Sequence, residues 1–597
     1  MLIRQFQRRW LTTVPKLTTP PTELISVLVN RIDLASGGCG SGSLHTADNK
    51  CIEIHCPHTV TGDTILIKDY VQPKKKNRRQ RKRGKKDQFV FRAVEEITTP
   101  SVHRTPPRCA HFHYCGGCQL QHVSYEHQLS SKEEWIRSEF LKAADEHDVT
   151  LKMSPPSIEV RPIIGCDPDE TYGYRNKMEF TFSPREFYQE LQQDKASDSE
   201  TTTAPTTPTT PTPTPLQPVL PFVLGLHPRR TTNSTRDRWH NKIVRLDQCH
   251  LQTTTCNEIM RWVATAVERF ALPIYDQSTH EGFMKNVVLR SSHNNGTEQI
   301  FIEFKTGIAD DAHTIAMDSL VQELKRQFAA RSNSTIVGIV STVDAQAFRH
   351  QSQHAKDRAE EQHERTDSLP PPPSPPVAPP PVAAPVTLHH GTPYYHESID
   401  ATTLRVSQGA FFQPNPRQSQ TLFAECAKML GLDGTQTLVD LYCGSGSVGI
   451  ALAANNRVHT LVGIELNTDA VKDATKNAEM NNLSDKSTFH SVDLNSKNSA
   501  ELDALALPDP DVVVIDPPRA GLHPQIVKRL RKWAHQQKRN QKSMKICYIS
   551  CNPVTLARDV AMLCSGSDSN LTPTILQPLD MLPHTAHLES ICLLETA

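Results

Sequence analysis

The segment Asp440-Leu-Tyr-Cys-Gly444-Ser-Gly446-Ser-Val-Gly449 carries the strongest fold signal in this chain of 597 residues. The apolar run Thr437-Leu-Val-Asp-Leu leads into it, and Val448-Gly-Ile-Ala-Leu-Ala-Ala leads out. This order predicts a buried strand, a tight turn and a helix, in which the glycines let the backbone approach a bound nucleoside. We therefore expect an α/β domain with a doubly wound sheet.

Three more predicted strands bring polar side chains to the same edge of this sheet. Leu461-Val-Gly-Ile-Glu465 ends in an acid that can hold both hydroxyls of a ribose. Asp511-Val-Val-Val-Ile-Asp516 ends in a second acid, and Lys545-Ile-Cys-Tyr-Ile-Ser-Cys551 ends in a thiol. Ligands bind at the carboxyl ends of parallel strands in such folds. The glycine pattern alone would suit NAD equally well.

The thiol and a later carboxylate indicate catalysis. Cys551 lies between Ser550 and Asn552-Pro553, and His587-Leu588-Glu589 follows it. A thiol at a strand end near a base has the arrangement of an activated nucleophile. We interpret Cys551, Glu589 and Asp516 as one catalytic centre for methyl transfer to a pyrimidine ring. The alternatives are a core thiol and a carboxylate that only pairs locally.

A cysteine-rich segment predicts a metal centre. Cys109, Cys115 and Cys118 follow a C-x5-C-x2-C spacing with two glycines that allow a tight bend. Three close thiols can converge on one centre, and Cys166 and Cys249 are candidates for the fourth ligand. Four sulfur ligands fit a [4Fe-4S] cluster or tetrahedral zinc, and the spacing favours neither. Buried, unligated thiols are the remaining alternative.

Short β-branched runs and low-complexity stretches indicate the domain organisation. The runs between residues 24 and 105 predict a small β-barrel that binds RNA or serves as a docking module. Stretches rich in Thr, Pro and Ala cannot bury apolar surface, so they mark insertions or linkers. The expected boundaries are 1–23, a transit peptide; 24–105, the barrel; 106–365, a central α+β domain with an insertion near 190–218; 366–389, a Pro-rich linker; and 390–597, the α/β domain.

Composition and local charge limit the possible cellular locations and binding partners of the protein. The chain has 65 Lys and Arg and 65 Asp and Glu, so RNA contact must come from local patches such as the basic loop 74–86. The basic, Thr-rich start predicts a mitochondrion or another organelle, whereas the basic loop favours the nucleus or cytoplasm. Scattered cysteines favour a reducing, intracellular compartment. The sequence contains no apolar run long enough to predict a membrane span. We expect a monomer.

Five segments in this order resemble the RNA 5-methyluridine methyltransferase family, which uses S-adenosylmethionine: QGAFFQPNP, DLYCGSGSVG, DPPRAGLHP, SCNPVTLARD and MLPHTAHLES. The resemblance extends N-terminally to a TRAM-like barrel, the CGGCQ motif and Tyr172-Gly-Tyr-Arg-Asn-Lys177. It implies a Rossmann-like methyltransferase domain. It also implies that the RNA substrate is transfer RNA or ribosomal RNA.

The resemblance also implies roles for individual residues. In relatives of the iron-sulfur type the fourth ligand lies in an apolar-x-x-C segment, which Leu246-Asp-Gln-Cys249 matches better than Cys166 does. The expected cluster is therefore [4Fe-4S], with zinc as the alternative. The implied site residues are Cys551 as nucleophile, Glu589 as base, and Gln413, Tyr442, Glu465 and Asp516 for the cofactor.

The chemistry explains why these residue types occur together. Carbon 5 of uracil is a poor nucleophile until a thiolate adds to carbon 6. Cys551 would make this addition, carbon 5 would take the methyl group, and Glu589 would remove the remaining proton. Because bases are stacked in RNA, the target uridine must be flipped out or presented in a loop.

Four other functions remain as alternatives. An adenine-amine methyltransferase would need an aromatic residue where Arg519 follows Asp-Pro-Pro. A radical enzyme with a TRAM domain would carry a C-x3-C-x2-C spacing. A non-catalytic RNA-binding protein on this fold would have no use for Cys551 with Glu589. An NAD oxidoreductase fits only the glycine turn.

Overall fold

The structure is a computed structural model of the full chain. It describes residues 25–35, 37–45, 51–67, 70–71, 88–91, 94–147, 158–187, 220–229, 241–294, 296–329, 331, 333–352, 386–454, 457–496, 500–505, 507–565 and 569–596. The expected transit peptide, the basic loop 74–86, the insertion near 190–218 and linker residues 366–385 lie outside these ranges. The last residues of the expected linker, 386–389, begin a strand.

The chain divides into two compact units. Unit 1 comprises residues 1–138, 229–238 and 582–588, and unit 2 comprises residues 139–228, 239–581 and 589–597. The described strands of unit 1 are β1 Ile25–Asp33, β2 Cys39–His45, β3 Cys51–Cys56, β4 Thr64–Ile67, β5 Tyr70–Val71, β6 Gln88–Phe91 and β7 Val94–Thr99. They form one sheet in the order β5-β6-β3-β2-β1-β4-β7.

Strand β2 was missed by the sequence prediction because its sequence is rich in Gly and Ser. It pairs with both β1 and β3, so it lies in the interior of the sheet. A Cβ on Gly40 would lie 2.1 Å from Oγ1 of Thr59, and one on Gly42 would lie 2.6 Å from the carbonyl oxygen of Leu28. The glycines are therefore needed for close approach rather than for a turn.

The core of unit 1 includes its short C-terminal segment. Ala586 packs with Ile32, Leu34, Leu120 and Val123, and all five side chains are buried. The carbonyl oxygen of His584 also accepts hydrogen bonds from the N–H groups of Gln119 and Leu120. Residues 582–588 are thus anchored by apolar contact and by backbone hydrogen bonds.

Unit 2 contains three sheets. The strands of its mixed sheet, in chain order, are β9 Lys177–Ser183, β10 Val223–Leu226, β11 Val244–Arg245, β12 Met284–Asn294, β13 Thr297–Thr306, β14 Ser334–Val343 and β15 Val386–Gly391. Their spatial order is β11-β10-β9-β12-β13-β14-β15. The hairpin of β16 Tyr394–Ile399 and β17 Thr402–Ser407 forms a two-stranded sheet.

The third sheet is the predicted α/β sheet. Its strands are β8 Glu159–Val160, β18 Thr437–Leu441, β19 Thr460–Glu465, β20 Ser487–Ser491, β21 Val512–Ile515, β22 Lys545–Ser550, β23 Leu571–Leu579 and β24 Glu589–Thr596. Their order is β20-β19-β18-β21-β22-β24-β23-β8. The strands from β20 to β22 are parallel, whereas β24 is antiparallel to both β22 and β23. The α/β fold and the four strands predicted around the glycine turn are confirmed.

The strand order places a ligand crevice between two of these strands. Neighbouring β18 and β21 are joined through the connections to β19 and β20, so the chain direction across the sheet reverses at this point. Open α/β sheets bind ligands outside the carboxyl ends of the strands at such a reversal. The described α-helices are α1 Tyr125–His147, α2 Thr254–Arg269, α3 Asp311–Phe328, α4 Pro416–Leu430, α5 Ser447–Ala453, α6 Thr468–Met480, α7 Ala500–Ala504, α8 Pro524–Arg539 and α9 Pro553–Cys564.

A search of the described helices for one long and apolar enough to cross a membrane finds none.

Candidate active site

Cys551 lies between the end of β22 and the start of α9. Asn552 caps the helix, since its side-chain oxygen accepts the N–H of Val554 at 3.2 Å. Its amide nitrogen donates to the carbonyl oxygen of Arg519 at 3.0 Å. The cap residue thus ties the segment carrying Cys551 to the loop that follows β21.

Glu589 stands on the neighbouring strand beside Cys551. The ladder between β22 and β24 ends with the pair Ser550–Ser590. One step further, the antiparallel register places Cys551 across from Glu589, with both side chains on the face opposite to the two serines. The strand pairing therefore brings the predicted nucleophile and the predicted base together.

The charges of the site oppose ionisation of the thiol. Burial is the main cause that raises the pKa of Cys551 to about 11, and the carboxylates of Glu589 and Asp516 add to the shift. The Arg519 side chain counteracts it by its charge and by a hydrogen bond to Cys551. A thiolate at this position therefore depends on a nearby cation.

The two carboxyls also favour their protonated forms. Burial raises the pKa of Asp516 to about 7. Burial and the charge of Asp516 hold the pKa of Glu589 well above its usual range, against the charge of Arg519. Oε1 of Glu589 is buried and makes no hydrogen bond to any described residue. An oxygen of this kind suits a group that exchanges a proton with a substrate.

The structure assigns a place to Arg519, which the sequence prediction left without a role. The loop that carries it is held by Asp559 of α9, whose Oδ2 accepts the N–H of Leu522 at 2.6 Å and the hydroxyl of Tyr548 at 2.7 Å. A Cβ on Gly521, whose φ is +80°, would lie 2.3 Å from this oxygen. The signal available in the sequence was Asp559, the last residue of SCNPVTLARD.

The glycine turn after β18 contains three residues in the left-handed backbone region. Tyr442 has a φ of +64°, and Gly444 and Gly446 have φ values of +54° and +78°. The N–H of Gly449 donates to Oδ2 of Asp440 at 3.0 Å, and a Cβ on Gly449 would lie 2.7 Å from the same oxygen. Burial is the main cause that raises the pKa of Asp440 to about 8.

The predicted cofactor residues line this edge of the sheet. Oε2 of Glu465 accepts the N–H of Gly444 at 3.2 Å, so the acid lies against the glycine turn. The hydroxyl of Tyr442 donates to Oδ1 of Asn495 at 3.3 Å. Nε2 of Gln413 donates to Oδ2 of Asp516 at 3.3 Å, which links the segment before α4 to the end of β21.

Asn176, which directly precedes β9 of the mixed sheet, holds the segment that contains Gln413. Nδ2 of Asn176 donates to the carbonyl oxygen of Gln413 at 3.0 Å and to Oε2 of Glu397 at 3.4 Å. A cavity of about 500 Å³ is lined by Asn176 and Glu397 and also by Tyr172 and Arg417. The position of Gln413 therefore depends on contacts on both of its sides.

The cysteine-rich segment lies in unit 1 and contacts the partly buried side chain of Arg229. Sγ of Cys115 accepts the N–H of Gly117 at 3.4 Å. The guanidinium of Arg229 donates to the carbonyl oxygens of Phe112, at 3.3 Å, and of Cys118. Burial lowers the pKa of Arg229, and the nearby thiols of Cys39, Cys115 and Cys118 counteract this. The positive charge inside a loop of thiols would complement an anionic sulfur-ligated centre.

Cys249 belongs to unit 2, where its N–H donates to Oδ1 of Asn257 at 2.7 Å. In the part of the chain that the structure describes, no three His, Cys, Asp or Glu side chains are arranged to hold a metal ion. The predicted ligand set of Cys109, Cys115, Cys118 and Cys249 therefore stays a prediction.

Comparison with known proteins gives three concordant results. Residues 398–597 match the family model described as tRNA (Uracil-5-)-methyltransferase. An uncharacterized RNA methyltransferase of Chlorobaculum tepidum is 28% identical over 556 residues, which cover 93% of this chain and 95% of the relative. One of Porphyromonas gingivalis is 26% identical over 518 residues, which cover 85% of this chain and 91% of the relative.

Among solved structures, the chain resembles the Pyrococcus abyssi tRNA (uracil-54, C5)-methyltransferase in complex with S-adenosyl-L-homocysteine. The TM-score is 0.58 at 21% identity, and the match covers 95% of this chain and 99% of that chain. At this identity the likeness establishes the fold.

Proposed function

We propose that the chain is an RNA methyltransferase of the uracil-C5 family and that it methylates carbon 5 of a uridine in transfer RNA or ribosomal RNA. The observation that carries this proposal is the antiparallel pairing of β22 and β24, whose register sets Cys551, just after β22, across from Glu589, the first residue of β24. A thiol and a base on one face are the two groups that substitution at carbon 5 requires. S-adenosylmethionine supplies the activated methyl group.

Cys551 acts first. Its sulfur adds to carbon 6 of the uracil ring, and the electron pair of the double bond makes carbon 5 nucleophilic. Carbon 5 then takes the methyl group as its bond to the sulfonium sulfur breaks, S-adenosyl-L-homocysteine is the leaving group, and carbon 5 carries both a methyl group and a hydrogen. Arg519 assists because its charge and its hydrogen bond favour the thiolate form of Cys551.

Glu589 completes the reaction. Its carboxylate removes the proton from carbon 5, the double bond forms again, and the bond between carbon 6 and sulfur breaks. The cysteine is then free for another cycle. Burial and the charge of Asp516 make Glu589 a strong proton acceptor once it is ionised, because they raise its pKa well above its usual range.

The remaining residues hold and orient the methyl donor. Glu465 lies where a carboxylate can bind the ribose hydroxyls, beside the N–H of Gly444. Gln413 and Asp516, joined by their hydrogen bond, face the crevice between β18 and β21. Tyr442 would pack against the adenosine part from the strained start of the turn.

Trapping with 5-fluorouridine tests this proposal. In the normal reaction a base removes the hydrogen on carbon 5 as a proton, but it cannot remove a fluorine in that position. The protein should therefore form a denaturation-resistant complex with RNA when S-adenosylmethionine is added. Cys551→Ala should abolish the complex, while Cys564→Ala, a change at the far end of α9, should retain it. Unchanged methylation by Cys551→Ala would reject the covalent mechanism.

We also propose that Cys109, Cys115, Cys118 and Cys249 bind a [4Fe-4S] cluster. The support is the chemistry of the sulfur donors together with the partly buried charge of Arg229 beside Cys115 and Cys118. The methyl transfer is redox-neutral, so a cluster there would stabilise the fold rather than transfer electrons. Anaerobically purified protein should contain about four iron atoms and four inorganic sulfides per chain, and Cys118→Ser should lose them. One bound zinc in place of iron would identify the alternative centre.

A further inference from the structure

A long segment of unit 2 is free of acidic residues. Residues 517–558 contain ten Lys and Arg and no Asp or Glu, although the whole chain has as many acids as bases. This segment begins directly after Asp516, includes Cys551 and ends before Asp559. An excess of ten positive charges therefore arises from one continuous stretch, which starts at the catalytic edge, of an otherwise neutral chain.

Helix α8 carries six of these ten cations, and four of the six are exposed. The exposed cations of the helix and of the turn after it are Lys528, Lys532, Lys538, Arg539 and Lys542. Positions 528, 532 and 539 recur at the spacing of one helix face, and His535 lies between them on the same face, whereas Lys542 follows the end of the helix. The opposite side packs into the unit through Ile526, Val527, Leu530, Trp533 and Ala534.

The two other arginines of the helix are used internally. Arg529 pairs with Asp503. Arg531 donates to the carbonyl oxygens of Met562, Leu563 and Ser565. In contrast, none of the five exposed cations lies within ion-pair distance of a carboxylate among the residues that the structure describes.

A helix elsewhere in the same unit shows how an ordinary charged surface differs. On α6, Lys472 pairs with Asp469 at 2.7 Å, and Lys476 pairs with Glu479 at 2.8 Å. These lysines are neutralised on their own helix. The cations of α8 have no such partners there, so their field extends into the solvent.

The orientation of α8 relates its charge to the active site. The helix starts after the loop that carries Arg519, and that loop is bonded to the cap of α9 beside Cys551. Its axis then runs away from the catalytic edge for about 16 Å between positions 528 and 539, at 1.5 Å per residue. A polyanion that enters the active site could thus continue along the exposed side of this helix.

We propose that the exposed cations of α8 bind the phosphate backbone of the substrate RNA outside the target uridine. This inference rests on the proposed function, because RNA is the polyanion that such an enzyme must hold. Binding through phosphates is independent of sequence and depends strongly on salt. The surface would therefore increase affinity for RNA without selecting the uridine.

The test compares two double variants that remove the same charge. Lys532→Gln with Arg539→Gln changes the proposed surface, and Lys472→Gln with Lys476→Gln is the matched control on α6. The affinity of the full-length protein for an unmodified tRNA transcript and for poly(U) is measured over a range of salt concentrations. Thermal melting and S-adenosylmethionine binding verify that each variant is folded.

We expect the α8 variant to bind both RNAs about tenfold more weakly near 0.1 M salt, with a salt slope smaller by about 1.4 if each cation contacts one phosphate. The control should retain the affinity and slope of the unchanged protein. An α8 variant that behaves like the control would overturn the proposal and leave an acidic protein as the partner of this surface. Failure of the proposed function looks different, since RNA binding would still depend on α8 while no 5-fluorouridine complex forms.

Discussion

Cys551 and Glu589 face each other one step beyond the Ser550–Ser590 pair that ends the ladder between β22 and β24. Their proximity is expressed in the electrostatics, because the charge of Glu589 raises the pKa of Cys551. The predicted nucleophile and the predicted base therefore influence each other before any substrate binds. Arg519 acts on both, and it favours the ionised form of each.

Glu589→Gln should stop the reaction after methyl transfer. Glutamine cannot accept the proton from carbon 5, so the methylated RNA should stay bonded to Cys551. A denaturation-resistant complex with ordinary uridine RNA should accumulate, visible as a band of lower mobility in a denaturing gel. Release of free 5-methyluridine RNA at the rate of the unchanged enzyme would assign the base to another residue.

Arg519→Gln should make the thiol less reactive. The pKa of Cys551 is about 11, and loss of the positive charge and the hydrogen bond should raise it further. Alkylation of Cys551 by iodoacetamide, followed between pH 7 and 10 by mass spectrometry of its peptide, should be slower by about tenfold for each pKa unit gained.

Glu589→Gln is the matched variant in the same alkylation assay, because it should shift the pKa of Cys551 in the opposite direction. It removes a negative charge beside the thiol, so it should lower the pKa of Cys551 and speed alkylation. Equal rates for the two variants would show that neither side chain controls the ionisation of Cys551.

Asp559→Asn should destabilise the protein and loosen the loop that carries Arg519. Asp559 is fully buried and accepts bonds from Tyr548, Leu522 and Arg558. Removing the charge leaves the Arg558 guanidinium unpaired at a partly exposed site, and we expect a loss of about 3 kcal/mol in the free energy of unfolding in urea. Asp469→Asn, on the exposed side of α6, should lose less than about 0.5 kcal/mol.

Glu397→Gln should flatten the dependence of stability on pH. Burial raises the pKa of Glu397 to about 8, so the folded state keeps a proton that the unfolded state releases above its ordinary pKa near 4.5. This contribution to stability is complete below pH 4.5 and is lost as the pH rises through 8. Glutamine is neutral throughout.

Urea unfolding at pH 5 and at pH 8 measures this effect. The unchanged protein should lose more stability between the two values than Glu397→Gln does. Some loss should remain in the variant, because Asp440 and Asp516 have pKa values raised to about 8 and about 7 and act in the same direction. Glu479→Gln, at an exposed position, should behave like the unchanged protein.

Local patterns were sufficient to predict the centre of the α/β sheet. The strand before the glycine turn was predicted at Thr437–Leu441, and the structure has the same bounds. Strands β19, β21 and β22 begin and end within one residue of their predictions. Buried parallel strands are continuous apolar runs, so a sequence shows them directly, and the side chains that follow them must meet at one edge.

Other features depended on chain segments far apart in sequence. The glycines of β2 suggest a turn until Thr59 and Leu28 are found to leave no room for a Cβ. The hydrogen bond between Gln413 and Asp516 joins residues 103 positions apart. Neither local propensity nor periodicity contains such information, because both describe only neighbouring residues.

The order of residues alone was enough to predict candidate side chains for the chemistry and to predict that Asp516 and Cys551 follow adjacent parallel strands, as the structure shows. Only the tertiary structure decided that Glu589 faces Cys551 and that Arg519 reaches the thiol. The register of the antiparallel strand β24 sets the first contact, and the hydrogen bonds of Asn552 and Asp559 set the second. Both arise from packing between separate segments, and a shift of one residue in that register would turn Glu589 to the other face of the sheet.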